Sequence, residues 1–190
     1  MDIYFRAPVR MKHVMGCIFA FAAACAPAAR TTAGDGREAL EAAVYAVVID
    51  SLLASPRVPF VVIADSTWQA FGTDLFGDST AAIYRDFLAI NRERRSIPAR
   101  LPARTGVRRL RYSTHARGDR FAAFQRFRRE YAPALGFYIL SRPGFSADRH
   151  QAMLTILIGC EAHCTQVELV TLAWRGGRWR ITEHQVVVEM

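Results

Sequence analysis

Leu40, Val44, Val47, Val48 and Leu52 recur at helical spacing, which predicts a helix with one face packed on a core. Asp35–Gly36–Arg37–Glu38 has the spacing of a capping box, so the helix is expected to start at Asp35. The next apolar run, Val58–Asp65 (VPFVVIAD), is short and rich in β-branched residues, and its proline suits the beginning or edge of a strand. Ile83, Phe87 and Ile90 predict a second helix over about 80–93. Phe121, Phe124, Phe127 and Tyr131 predict a third over about 119–131, with its rings on one face as core rather than as a base-stacking platform. The Arg- and Pro-rich stretch between them has no clear period and reads as a long connection with a short strand at Val107–Tyr112.

The C-terminal third alternates instead. Phe137–Ser141, Gln151–Gly159, Thr165–Trp174 and Arg178–Val188 read as strands, and their short connections make antiparallel neighbours. Trp179 and Ile181 are odd-numbered whereas Val186 and Val188 are even-numbered, so burying both pairs on one face needs an inserted residue, a bulge placed around Glu183–Gln185. The order of elements predicts an α+β fold: a curved antiparallel sheet formed by a C-terminal meander, with the N-terminal and central helices packed on one face. Cystatin-like and nuclear-transport-factor-2-like domains have this architecture.

The N-terminus carries a different pattern. Met11–Lys12–His13 precedes an apolar Val14–Ala24 run and then small residues and proline, the tripartite order of a secretory signal. The run is about half the roughly 20 residues that span a bilayer, so a permanent membrane helix is not expected. Residues 1–25 are read as the signal, with Met11 as an alternative start, residues 26–34 as a linker, and residues 35–190 as a single α+β domain. Ala22–Ala23–Ala24–Cys25 resembles a bacterial lipobox, in which Cys25 would be lipidated; the rival is soluble secretion with cleavage near Ala26–Pro27–Ala28. Either way the protein is expected outside the cytoplasm, in the periplasm, the cell envelope or the medium, and on a membrane only through an N-terminal lipid.

Export changes the reading of Cys160–Glu161–Ala162–His163–Cys164. On a continuous strand, residues four apart lie about 13 Å apart, beyond any disulfide, but across a tight hairpin they face each other. With Cys17 in the signal and Cys25 lipidated or removed, an even pair remains in an oxidising compartment, so a Cys160–Cys164 disulfide is expected. A zinc site at Cys160, His163 and Cys164 lacks a second ligand pair. No metal site and no cofactor are expected.

Ser141, Arg142, Gly144 and Phe145, then Cys160 and Cys164, then Gly177 and Trp179 together resemble a group of uncharacterised secreted bacterial proteins. That group has a Ser-Arg-x-Gly-Phe stretch, a C-x3-C turn and a terminal Gly-x-Trp strand. The resemblance covers the last third of the chain and implies fold and compartment, not activity.

The formal charge of +8 is carried almost entirely by arginine, Lys12 being the only lysine. Arg92, Arg94 and Arg95, Arg108, Arg109 and Arg111, and Arg126, Arg128 and Arg129 form clusters that read as solvated faces of amphipathic elements. The alternative is a surface for anionic polymers with salt-dependent binding, and no specific nucleic-acid partner is expected. The nucleophile elbow, the zincin helix, the P-loop and the dinucleotide fingerprint are all absent from the sequence. Asp65, Trp68, Tyr112, His115, Tyr138 and Trp174 are the candidate lining of a pocket between sheet and helices. The expected function is non-enzymatic binding of a small-molecule ligand or an envelope protein. The alternative is an enzyme of nuclear-transport-factor-2-like fold with an acid–base pair such as Asp65 and His115.

Overall fold

The structure, a computed structural model, describes residues 33–68, 81–112, 119–159 and 165–189. Helix α1 (Ala33–Val48) runs on into a π-helical turn (Ile49–Leu53) and is followed by β1 (Phe60–Ala64), α2 (Ala82–Ile90), β2 (Gly106–Leu110) and α3 (Arg120–Glu130). Strands β3 (Phe137–Leu140), β4 (Gly144–Phe145), β5 (Gln151–Gly159), β6 (Thr165–Arg175) and β7 (Arg178–Glu189) complete the chain. Because α1 begins at Ala33, Asp35 lies inside its first turn rather than at a cap. The expected start of α3 is met: the Asp119 carboxylate accepts from the Phe121 amide at 3.0 Å.

The class is α+β, with an open seven-stranded sheet ordered β2-β1-β3-β5-β6-β7, β4 pairing beside β5. Strands β3, β5, β6 and β7 form the expected antiparallel meander. The sheet as a whole is mixed, because β1 pairs in parallel with both β2 and β3. The long connections carrying α2 and α3 permit this, since parallel neighbours need a crossover.

Helix α1 lies on one face. Its Val44, Tyr45 and Val48, with Ile49 of the π-helical turn, meet Ala152, Leu154 and Ile156 of β5, Val170 and Leu172 of β6, and Trp179 of β7. Residues of the opposite parity meet the central helices: Met153 and Leu169 pack with Tyr84 and Phe87 of α2, while Phe60 and Val62 pack with Phe124 and Phe127 of α3. Both sets of side chains are therefore buried along β1 and most of β5, which accounts for their nearly continuous apolar runs, interrupted in β5 by buried Thr155.

Strand β7 has two register shifts against β6 where one was expected. Ile181 opposes Leu172 and Glu183 opposes Thr171, so Thr182 is the inserted residue that switches parity; Val187 is a second one. Val186 thereby shares the α1 face with Trp179 and Ile181, yet on this edge strand, opposite Glu168, it is 49% exposed. Phe121 is likewise not core but 61% exposed. Three-residue steps drift by about 60° each around a helix, so it lies about 120° away from the buried Phe127.

Candidate functional site

The Ser141–Phe145 segment is held by groups from three elements. Glu41 of α1 is buried, and its Oε1 accepts from Arg37 Nε at 3.0 Å and from Arg142 Nη2 at 2.7 Å. Arg37 also forks onto both oxygens of Asp86 in α2, at 3.2 and 2.9 Å, and donates to the Pro143 carbonyl at 3.2 Å. Asp86 Oδ2 accepts from the Phe145 amide at 2.7 Å. Asn91 accepts from the Arg142 amide and donates to the Arg142 carbonyl, both at 2.8 Å. The Tyr45 hydroxyl donates to the Ser141 carbonyl at 3.1 Å, and Ser141 Oγ accepts from the Thr155 amide at 2.8 Å. Burial works to lower the Arg37 pKa, but its bonds to Asp86 and Glu41 more than offset this and leave it raised. Burial pushes the Tyr45 hydroxyl far up, with the Glu41 charge adding to it.

Beside this network lies a cleft of about 280 Å³ lined by Arg37, Leu40, Asp86, Phe145, Ser146 and Arg149, among others. The Arg37 guanidinium stands 5.4 Å over the Phe145 ring. Arg149 takes a left-handed conformation, φ 58°, in a turn closed by its own amide on the Ser146 carbonyl and by the His150 amide on Asp148. Bonds from the Ser146 hydroxyl and the His150 amide hold the Asp148 carboxyl down at about 2.

Only part of the expected pocket lining comes together. Asp65 Oδ1 accepts from the Tyr112 amide at 3.2 Å. Trp68 and Tyr112 both pack on Ala64, Ile139 and Leu157, and the Arg94 guanidinium lies 5.8 and 5.3 Å from their ring centres. Tyr138, by contrast, pairs with Ile63 and belongs to the α1 face. Trp174 stands at the far end of β6, edge-on to Trp179 with centroids 5.6 Å apart. His115, Cys160, Cys164 and Cys25 lie outside the described residues.

A polar pair that periodicity did not single out stands on the α1 face. Glu168 is only 8% exposed; its Oε1 accepts from Gln166 Nε2 at 3.0 Å, and its Oε2 lies 2.7 Å from His184 Nε2. A carboxylate only accepts, so Nε2 of the half-exposed imidazole donates in this bond. Burial, and secondly the Glu168 charge, raise the Tyr138 hydroxyl. The bulge at Thr182 sets the meeting of Glu168 with His184, because it decides which face His184 takes.

Among the described residues no group of three or more His, Cys, Asp or Glu could hold a metal, and no helix is long and apolar enough to cross a membrane. Comparisons of the chain with protein-family models, with curated proteins and with solved structures find no match.

Proposed function

We propose that the protein is an exported bacterial envelope protein that binds a small ligand or an envelope component in the cleft between α1, α2 and the Gly144–Arg149 turn. The observation that carries this reading is the bonding of the cleft walls: Arg37 and Asp86 are held by Glu41, by each other and by the Pro143 and Phe145 backbone. Walls held in this way are preorganised for recognition. Exposed Arg149 at the rim suits a ligand with an anionic or accepting group. Native mass spectrometry of protein isolated from the envelope of an exporting bacterium tests it. A small molecule should accompany the wild type and be lost from Ala147→Trp, because Ala147 also lines the cleft and a tryptophan there fills it; bare protein in both preparations would reject the reading.

The compartment rests on the 1–25 signal, with Cys25 as lipid attachment point if the lipobox is used. A Cys160–Cys164 staple belongs to the same proposal. The described register of β5 and β6 ends with Gly159 opposite Thr165, and both cysteines lie between them in sequence, outside the described residues.

The second reading is an enzyme of nuclear-transport-factor-2-like fold, favoured by Glu168 and His184 at 2.7 Å beside Tyr138. His184 would be the general base and Glu168 its positioning residue. Turnover of any candidate substrate should then fall in Glu168→Gln and His184→Ala while binding in the cleft is unchanged.

A further inference from the structure

We propose that α3 and the β2 edge form a docking surface for a membrane of anionic phospholipids, separate from the cleft and independent of the reading above. Strand β2 ends the sheet on one side, and Arg108 and Arg111, on and just beyond it, are exposed. Helix α3 adds exposed Arg126, Arg128 and Arg129 and has a single carboxylate, Glu130.

The two elements are neighbours. The Tyr131 hydroxyl donates to the Arg109 carbonyl at 2.9 Å, and Arg108 stands 3.9 Å over the ring of Phe60, which packs with Phe124 and Phe127. The charges of Arg108 and Arg111 are both felt at Tyr131. Among the described residues none of these five arginines makes an ion pair.

Charge alone would suit any polyanion, and the apolar residues make the choice. Phe121, 61% exposed, lies seven residues before Arg128 on the same side of α3, roughly 10 Å along the axis. Leu135, 72% exposed, follows the buried Ala134 that anchors the turn after the helix. Exposed apolar side chains on and just after an arginine-bearing helix match an interface in which guanidinium groups meet lipid phosphates while the apolar tips enter the acyl boundary. A nucleic acid would use the arginines and could stack on Phe121, but aliphatic Leu135 offers it nothing.

Vesicle co-sedimentation of the full chain as Cys25→Ser, which removes any contribution from a lipid anchor, tests the proposal. Vesicles of phosphatidylcholine with phosphatidylglycerol should retain the protein, and phosphatidylcholine alone should not. Binding should fall by roughly tenfold or more as salt rises from physiological to several-fold higher, in line with screening of surface charge. Arg126→Glu/Arg128→Glu/Arg129→Glu should abolish retention, whereas Arg178→Glu at the β6–β7 turn should leave it unchanged. Phe121→Ser/Leu135→Ser should weaken it severalfold with no change in net charge. Equal retention on both vesicle types, no retention, or indifference to the α3 substitutions would overturn the proposal. So would binding to single-stranded DNA that exceeds vesicle binding and ignores Phe121→Ser/Leu135→Ser.

Discussion

Trp179 shows how one residue can anchor an edge strand. It is buried against Phe145 at 6.0 Å and lies within the α1-side core, while its neighbour Arg180 faces solvent. Trp179→Ala should cost about 3–5 kcal/mol and lower the melting temperature markedly, with Arg180→Ala nearly silent, as measured by thermal and urea denaturation. Tyr45 offers a test in pH. Its folded hydroxyl is raised well above the ordinary value of 10.0 by burial, so its contribution is complete below that value and is lost as pH rises beyond it. At neutral pH, Tyr45→Phe should cost about 1 kcal/mol through the bond to the Ser141 carbonyl. Urea unfolding at about pH 8 and about pH 11 should show the gap between wild type and variant narrowing at the higher pH.

At the scale of elements, the Ser141–Phe145 stretch is where α1, α2 and the sheet meet, and its composition follows from that position. A Cβ on Gly144 would stand 2.5 Å from Phe87 Cβ and 2.6 Å from the Phe87 Cα and nitrogen, so the backbone of α2 would have to move. The three atoms nearest a Cβ on Gly159 all belong to the Phe137 side chain, at 2.5–2.9 Å, rather than to backbone. Chemical denaturation should therefore find Gly144→Ala destabilised by about 1–3 kcal/mol and Gly159→Ala by less. The Ser-Arg-x-Gly-Phe likeness noted in the sequence thus coincides with a structural clamp. Arg142 finds its carboxylate 101 residues away, and no local pattern can announce that pairing.

For the whole molecule, the proposed export makes a joint prediction. Protein made in an exporting bacterial host should lose its first 24 residues if lipidated at Cys25, or a few more if soluble, as read by intact mass. Non-reducing peptide mapping of the same material should find Cys160 joined to Cys164. An unprocessed chain with both thiols open to alkylation would remove the compartment and the staple together.

Periodicity by itself determined the helices around Val44, Phe87 and Phe127, the four C-terminal strands, their antiparallel order, and the need for a parity switch between Ile181 and Val186, because each depends on neighbours a few residues apart. The parallel placing of β1 between β2 and β3, and the seating of α2 and α3 on residues opposite in parity to those under α1, were decided only in three dimensions. The same holds at the candidate site. Asp65, Trp68 and Tyr112 follow one strand or its neighbour and so gather, while Tyr138 and Trp174 are sent elsewhere by strand register. Glu168 and His184 lie 16 residues apart, and their 2.7 Å contact exists because a single inserted residue, Thr182, turns the end of β7 over; a one-residue shift reverses every later side chain, and where it falls is settled by packing against β6.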